Sequence, residues 1–244
     1  MAGSLRLNGV NIQYGDVTAL DEVTVTVPLG VSVAVIGPNG SGKSTLLKAI
    51  AGLLSPTSGT IDSNGSDVAI VLQSTDVDQS LPLTVRDSVA MARYPKLGLL
   101  GRYGPADRAA VDAALAGLEL TDLVDRQIHH LSGGQRQRTL VAQGLAQDAE
   151  VLLLDEPLTG LDVVSQSLIA DALDQASADG RTTIITTHSF TEAEQRDLVM
   201  LLSNRCIAFG PPKEVLTEAN LREAFGGRFI KVGNTLVLDD PHHH

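Results

Sequence analysis

Val31-Ser32-Val33-Ala34-Val35-Ile36-Gly37-Pro38-Asn39-Gly40-Ser41-Gly42-Lys43-Ser44-Thr45 is the segment around which the rest of this 244-residue chain is organised. Its first positions are almost uniformly apolar, as befits a strand buried on both faces. The glycine-rich run leads into a helix expected from about Ser44 to Ala51, ended by Gly52 and the turn-forming Ser55-Pro56-Thr57-Ser58-Gly59. Strand, glycine loop and helix in that order make a phosphate-binding loop. Gly37, Gly40 and Gly42 allow tight backbone curvature and expose N–H donors, with Pro38, Asn39 and Ser41 completing the curve. Lys43 is placed to reach the β- and γ-phosphates of a nucleotide, Ser44 to ligate Mg²⁺ and Thr45 to add a phosphate contact.

Two further strand ends carry chemistry that matches this loop. Val151-Leu152-Leu153-Leu154 runs into Asp155-Glu156-Pro157, which puts two carboxylates at the C-terminal mouth of a strand, where ligands of open α/β sheets bind. Asp155 is the candidate Mg²⁺ ligand and Glu156 the candidate general base for the attacking water. His188 follows the strand expected over Thr182 to Thr187 and can aim its imidazole at a γ-phosphate. Gln73, after a strand expected over Val68 to Leu72, offers an uncharged amide to both the metal and the lytic water. Tyr14, just before the first turn, can stack its ring on adenine.

Composition narrows the remaining classes. A hydrophobic content of 43% with 19% charged residues is that of a folded globular chain, and no apolar run is long enough to span a bilayer. The N-terminal MAGSLRLNGV lacks the features of a secretory signal, so a cytoplasmic location is expected. A net charge of −11 argues against nucleic acid as a partner. Cys206, the single cysteine, is expected to be a buried structural thiol. His129 and His130 are adjacent in sequence and read as loop residues, whereas His242 to His244 read as the remnant of a purification tag.

Leu5, Leu7, Val10 and Ile12, then Val23, Val25 and Val27, alternate with polar residues as antiparallel strands with one buried face do. From about 74 to 147 the pattern turns helical, over Thr84 to Arg93, Pro105 to Leu118 and Gly133 to Gln147. Strands return at Val199 to Leu202 and Cys206 to Phe209, and a helix is expected over Val163 to Ala178. That alternation implies a parallel sheet covered by helices. A single domain is expected over 1–241, with 242–244 set apart as the tag.

Tyr14, the phosphate loop, Gln73, Leu131-Ser132-Gly133-Gly134-Gln135, Asp155-Glu156, Gly160-Leu161-Asp162 and His188 occur in one order along the chain. In this the chain resembles the nucleotide-binding subunits of ABC transporters. The resemblance implies an α/β fold: a P-loop NTPase (RecA-like) core with an antiparallel β subdomain and an inserted α-helical signature subdomain. It implies Mg²⁺-dependent ATP hydrolysis by a head-to-tail pair of copies, in which Ser132, Gly133, Gly134 and Gln135 of one close over ATP held by the other. A helix start bearing Ser132 and the amides of Gly133 and Gly134 is suited to such anion binding. By the same resemblance Asp162 couples the two sites across the interface.

Asp76-Val77-Asp78, Pro82 to Asp87, Met91 to Tyr94 and the tail from Gly210 through Gly227 are similar to the ATPase subunits of importers for manganese, zinc or chelated iron. This implies integral membrane permease partners, an extracellular solute-binding protein and a position on the inner face of the cell membrane. The loop Gln73 to Leu81 and the helix from Thr84 are then the expected permease contact. The ATPase subunit of an ABC exporter or of an importer for another substrate, and an ATP-driven nucleic-acid clamp, are the alternatives, but the clamp would require a long coiled coil, which is absent between Lys43 and Leu131.

Overall fold

The computed structural model describes residues 3–72, 83–97 and 101–226, together with the backbone of 229–232 and 235–238. Gln73, the loop to Leu81 and the C-terminal histidines lie outside the described residues.

The N-terminal alternation forms β1 (Ser4–Tyr14) and β2 (Val17–Pro28), paired antiparallel through a two-residue turn. β3 (Ser32–Ile36) follows and feeds α1 (Lys43–Ile50). The chain then adds β4 (Ser58–Asp62) to the outer edge of β1, giving a three-stranded sheet of order β2-β1-β4. β4 is polar and almost wholly exposed, so it lacks the apolar alternation that marks a strand, and the sequence pattern shows only a turn there.

β5 (Val68–Val71) opens the second half, and helices follow: α2 (Val85–Met91), α3 (Tyr94–Leu97), α4 (Pro105–Gly117) and α5 (Gly133–Ala146). Arg93, just past α2, fastens three of them. Its Nε donates to Asp107 Oδ1 at 2.9 Å on α4, and a terminal nitrogen donates to the Ala146 carbonyl at 2.7 Å on α5. The Gly104 N–H and then the Arg93 guanidinium hold the Asp107 carboxyl below the usual aspartate range.

β6 (Val151–Leu154), α6 (Val163–Ala178), β7 (Thr182–Thr187), α7 (Phe190–Glu194), β8 (Leu198–Ser203) and β9 (Arg205–Gly210) complete the main sheet, whose order is β5-β6-β7-β3-β8-β9. Its first five strands are parallel, whereas β9 pairs antiparallel with β8. β9 is the antiparallel exception in the expected parallel sheet: the turn through Ser203–Asn204 is too short for the crossover that a parallel neighbour needs. α8 (Pro212–Val215), α9 (Glu218–Phe225) and a hairpin of β10 (Phe229–Val232) and β11 (Thr235–Leu238) end the chain.

The uniformly apolar strands have a direct physical cause, because the main sheet is covered on both faces. Ala34, Ile36, Leu152 and Leu154 face a core shared with α5, α6 and α9. Val33, Val35, Val151 and Leu153 face a second core shared with α1 and the antiparallel sheet. Cys206 belongs to the edge of this second core and is partly buried, and that burial pushes the thiol up to about 11. Among the described residues no helix is long and apolar enough to cross a membrane.

Candidate active site

The C-terminal ends of β3, β6 and β7 lie side by side and deliver the loop, the acid pair and the histidine to one edge of the sheet. Along that edge an open cavity of about 340 Å³ is lined by residues 39–45, Glu156, Tyr14, Val17, Thr18 and Ala19. The loop is built for close backbone approach. At Gly42 the backbone has φ 94°, and a Cβ there would run into the Ala19 carbonyl oxygen. α1 carries no side-chain cap, in contrast to α2, α5, α6, α7 and α9, which are capped by Thr84, Ser132, Asp162, Ser189 and Thr217. The first-turn N–H groups at Lys43, Ser44 and Thr45 therefore remain available to an anion.

Lys43 is 6% exposed, and its Nζ donates to the carbonyls of Gly37 at 2.8 Å and Pro38 at 3.0 Å. Burial lowers its pKa from the ordinary lysine value, opposed by the carboxylates of Glu156 and Asp155. A buried ammonium facing free amides favours an added anion, since a phosphate would offset the desolvation. Ser44 is exposed at the same loop, and Asp155 is 7% exposed at the end of β6. Together they offer oxygen ligands of the kind a hard cation such as Mg²⁺ prefers alongside phosphate oxygens. Among the described residues no cluster of three or more His, Cys, Asp or Glu forms a cage for a metal, and His129 and His130 sit in a short 3₁₀ turn before Ser132.

The acid pair depends on a residue that the motifs do not reveal. Thr186, fully buried in β7, donates its Oγ1 hydrogen to Asp155 Oδ1 at 2.6 Å and accepts from the Glu156 N–H at 2.8 Å. Glu156 itself has φ 49°, a left-handed conformation that a non-glycine residue holds only when its surroundings dictate it. The one sequence signal was polarity: Thr182, Thr183, Thr186 and Thr187 are four hydroxyls in a strand buried on both faces. Glu156 Oε1 and His188 Nε2 stand 2.5 Å apart, so the proposed base and histidine form a pair. Thr187 Oγ1 donates to Glu192 Oε2 at 2.6 Å and accepts from the Ser189 N–H at 3.0 Å, which clamps the backbone on either side of His188.

Tyr14, 50% exposed, stands beside Val17 at the rim of the cavity, which fits a surface for a base and not a core position. Residues 131–135 are absent from the lining of this cavity as described. Ser132 and Gly133 are instead solvent-exposed at the start of α5, where Ser132 Oγ accepts from the Gln135 N–H at 3.2 Å and Gln135 Oε1 accepts from the Ser132 N–H at 3.0 Å. A Cβ at Gly134 would collide with Ser165 Oγ and come within 2.7 Å of Asp162 Oδ2, so this glycine lets the starts of α5 and α6 meet. Asp162 caps α6, accepting from the Ser165 N–H and hydroxyl, both at 2.9 Å, and these donors hold its carboxyl below the usual range. Exposed Val163 and Val164 adjoin it, so Ser132, Gly133 and residues 162–164 lie on one surface, outside the lining of the cavity.

The profile of the family described as ABC transporter matches residues 20–159. The manganese transport system ATP-binding protein of Bacillus subtilis is 38% identical over 93% of this chain and 95% of its own length. The zinc transport system ATP-binding protein of Treponema pallidum is 39% identical over 93% of this chain and 88% of its own length. A metal-chelate type ABC transporter in an inward-facing conformation superposes with a TM-score of 0.82 at 27% identity, covering 96% of this chain and 95% of that one. An uncapped, lysine-bearing phosphate loop facing an acid pair, in a chain matched along its length by such relatives, has one reading: the chain belongs to the ABC transporter family as an ATP-binding, ATP-hydrolysing subunit.

Proposed function

We propose that the chain powers import of a transition-metal ion, manganese or zinc, or of an iron chelate, through a separate membrane permease supplied by an extracellular solute-binding protein. The observation that carries the cargo class is that relatives named for manganese and for zinc transport match 93% of the chain at 38–39% identity, and one named for chelated-iron transport matches 97% of it at 36%. The chain sits against the inner membrane face through its permease, and cargo passes through the permease. Reconstituting the chain with its co-encoded permease in vesicles tests this. ATP-dependent uptake of manganese, zinc or a ferric chelate is expected; efflux of these cargoes, or uptake of none of them, would overturn it.

In the hydrolytic step Glu156 takes the proton of a water that attacks the γ-phosphorus, while the bond to the ADP oxygen breaks. ADP and inorganic phosphate leave. His188, paired with Glu156, is placed to fix the carboxylate and engage the γ-phosphate. Lys43 and the amides of residues 43–45 bind and orient the phosphates. Ser44 and Asp155, with Gln73 as a further candidate outside the described residues, would hold Mg²⁺, which when bound would supply charge neutralisation at the phosphates. Thr186 fixes both acids, so Thr186→Val should lower turnover about 10-fold, or about 1.4 kcal/mol, the order of one lost hydrogen bond. Thr186→Ser should restore it, and a valine variant with unchanged turnover and unchanged Mg²⁺ dependence would remove this role.

ATP closes a pair of copies, because Ser132 and Gly133 are exposed outside their own chain's cavity and available to another's. Movement of the helical part then reaches the permease. A groove of about 260 Å³ between β5, α2 and α5 is the contact, flanked by Leu72 and by Met91, which is 53% exposed. Gln143 crosses from α5 to α2 and donates from Nε2 to the Ser88 carbonyl at 2.9 Å, setting the groove's width. The loop with Asp76 and Asp78, part of the same expected contact, lies outside the described residues.

A further inference from the structure

Asn204 lies in the tight turn between β8 and β9, outside the phosphate loop, the acid pair and the 131–135 run, yet it joins the two walls of the nucleotide cavity. Its backbone is left-handed, φ 57°, which asparagine tolerates better than most residues. Toward the phosphate loop, its N–H donates to the Ser41 carbonyl at 2.9 Å and its Nδ2 stands 3.4 Å from the Gly40 carbonyl. Toward β2, its Nδ2 donates to the carbonyls of Thr18 and Ala19, each at 3.1 Å, and its own carbonyl accepts from the Asp21 N–H at 2.8 Å. The Ala19 carbonyl is also the one against which Gly42 rests. Among the described residues no hydrogen bond joins 37–45 directly to 14–22, so the loop and this wall meet through that packing and through Asn204.

We propose that Asn204 is a positioning residue that sets the spacing between the base platform at Tyr14 and Val17 and the phosphate loop. The proposal rests on the reading of Tyr14 as that platform. A nucleotide must touch both walls at once, and it gains from the second contact only if their separation is fixed before binding. Asn204 supplies that fixed separation with a side-chain amide whose two donors are spent on β2 while its backbone holds the loop. The sequence conceals it, since a turn asparagine ordinarily serves only its own turn.

Asn204→Gly is the appropriate variant, because glycine keeps the left-handed backbone, the N–H and the carbonyl and removes only the amide. Affinities of the purified chain for MgATP and for magnesium tripolyphosphate, which has no base, are to be compared with those of Tyr14→Ala. Asn204→Gly is expected to weaken MgATP about 10-fold while tripolyphosphate changes less than about twofold, and Tyr14→Ala should show the same selectivity. Equal weakening of both ligands would make Asn204 a support of the phosphate loop alone and overturn the proposal, as would no change in either. If Tyr14→Ala left MgATP unaffected, Tyr14 would fall as the platform, whereas a selective loss in Asn204→Gly would still uphold the spacing role. Asn204→Ser, which removes the amide without adding charge beside the phosphate loop, should repeat the selective loss and covers the case of a glycine variant that folds poorly.

Discussion

Replacing Glu156 with glutamine is expected to slow ATP turnover by about 100-fold, which corresponds to about 2.7 kcal/mol of lost transition-state stabilisation. Glutamine preserves the shape and can still meet His188 across the 2.5 Å contact, but it cannot accept the proton of the attacking water. The Glu156 N–H bond to Thr186 Oγ1 involves only the backbone, so the left-handed turn should survive. Nucleotide affinity should therefore persist and the closed pair should accumulate, because binding proceeds and hydrolysis does not. Single-turnover hydrolysis and sedimentation in MgATP, with permease present where activity requires it, measure both. Turnover within threefold of the unmodified protein would remove Glu156 as the base.

Lys43→Ala should do the opposite and act on binding, weakening MgATP by about 100-fold, or about 2.7 kcal/mol. The ammonium is nearly enclosed and faces carbonyls that accept from it, so its charge is offered to a ligand in a poorly solvated site where each phosphate contact counts for more. Burial already disfavours the charged lysine in the protein alone. The variant should thus unfold at no lower temperature than the unmodified chain without nucleotide and lose most of the stabilisation that MgATP confers on it. Calorimetric titration and thermal unfolding with and without MgATP test this pair of outcomes. Affinity within threefold would contradict the phosphate role, and a large loss of intrinsic stability would reassign Lys43 to the fold.

Much of the molecule was legible in sequence because its determinants are local. A strand covered on both faces is favoured by an apolar run, which located β3, β6 and β8, and the helix over Val163–Ala178 is found at its expected limits. Glycines at a strand's end declared the loop, and acids after Leu154 declared the pair. What escaped depends on neighbours distant in sequence or on weak patterning. Thr186 matters because β7 lies beside β6, and Asn204 because a turn at the far end of the sheet folds over the loop. β4 is polar, β9 owes its direction to a short turn, and α7 has only five residues behind the Ser189 cap. The signature glycines were read as anion donors; Gly134 is also a packing necessity between α5 and α6.

We propose that each active site is shared, with the phosphate loop of one copy working with Ser132 of another. Mixed dimers of a Lys43→Ala chain and a Ser132→Arg chain, each carrying a different affinity tag, test it directly. Head-to-tail sharing places both defects in one site and leaves the other intact, so each mixed dimer should trap one nucleotide in MgATP while dimers of either variant alone trap none. If the two motifs served the same chain's site, the mixed dimers would trap none either, and that result would contradict the account.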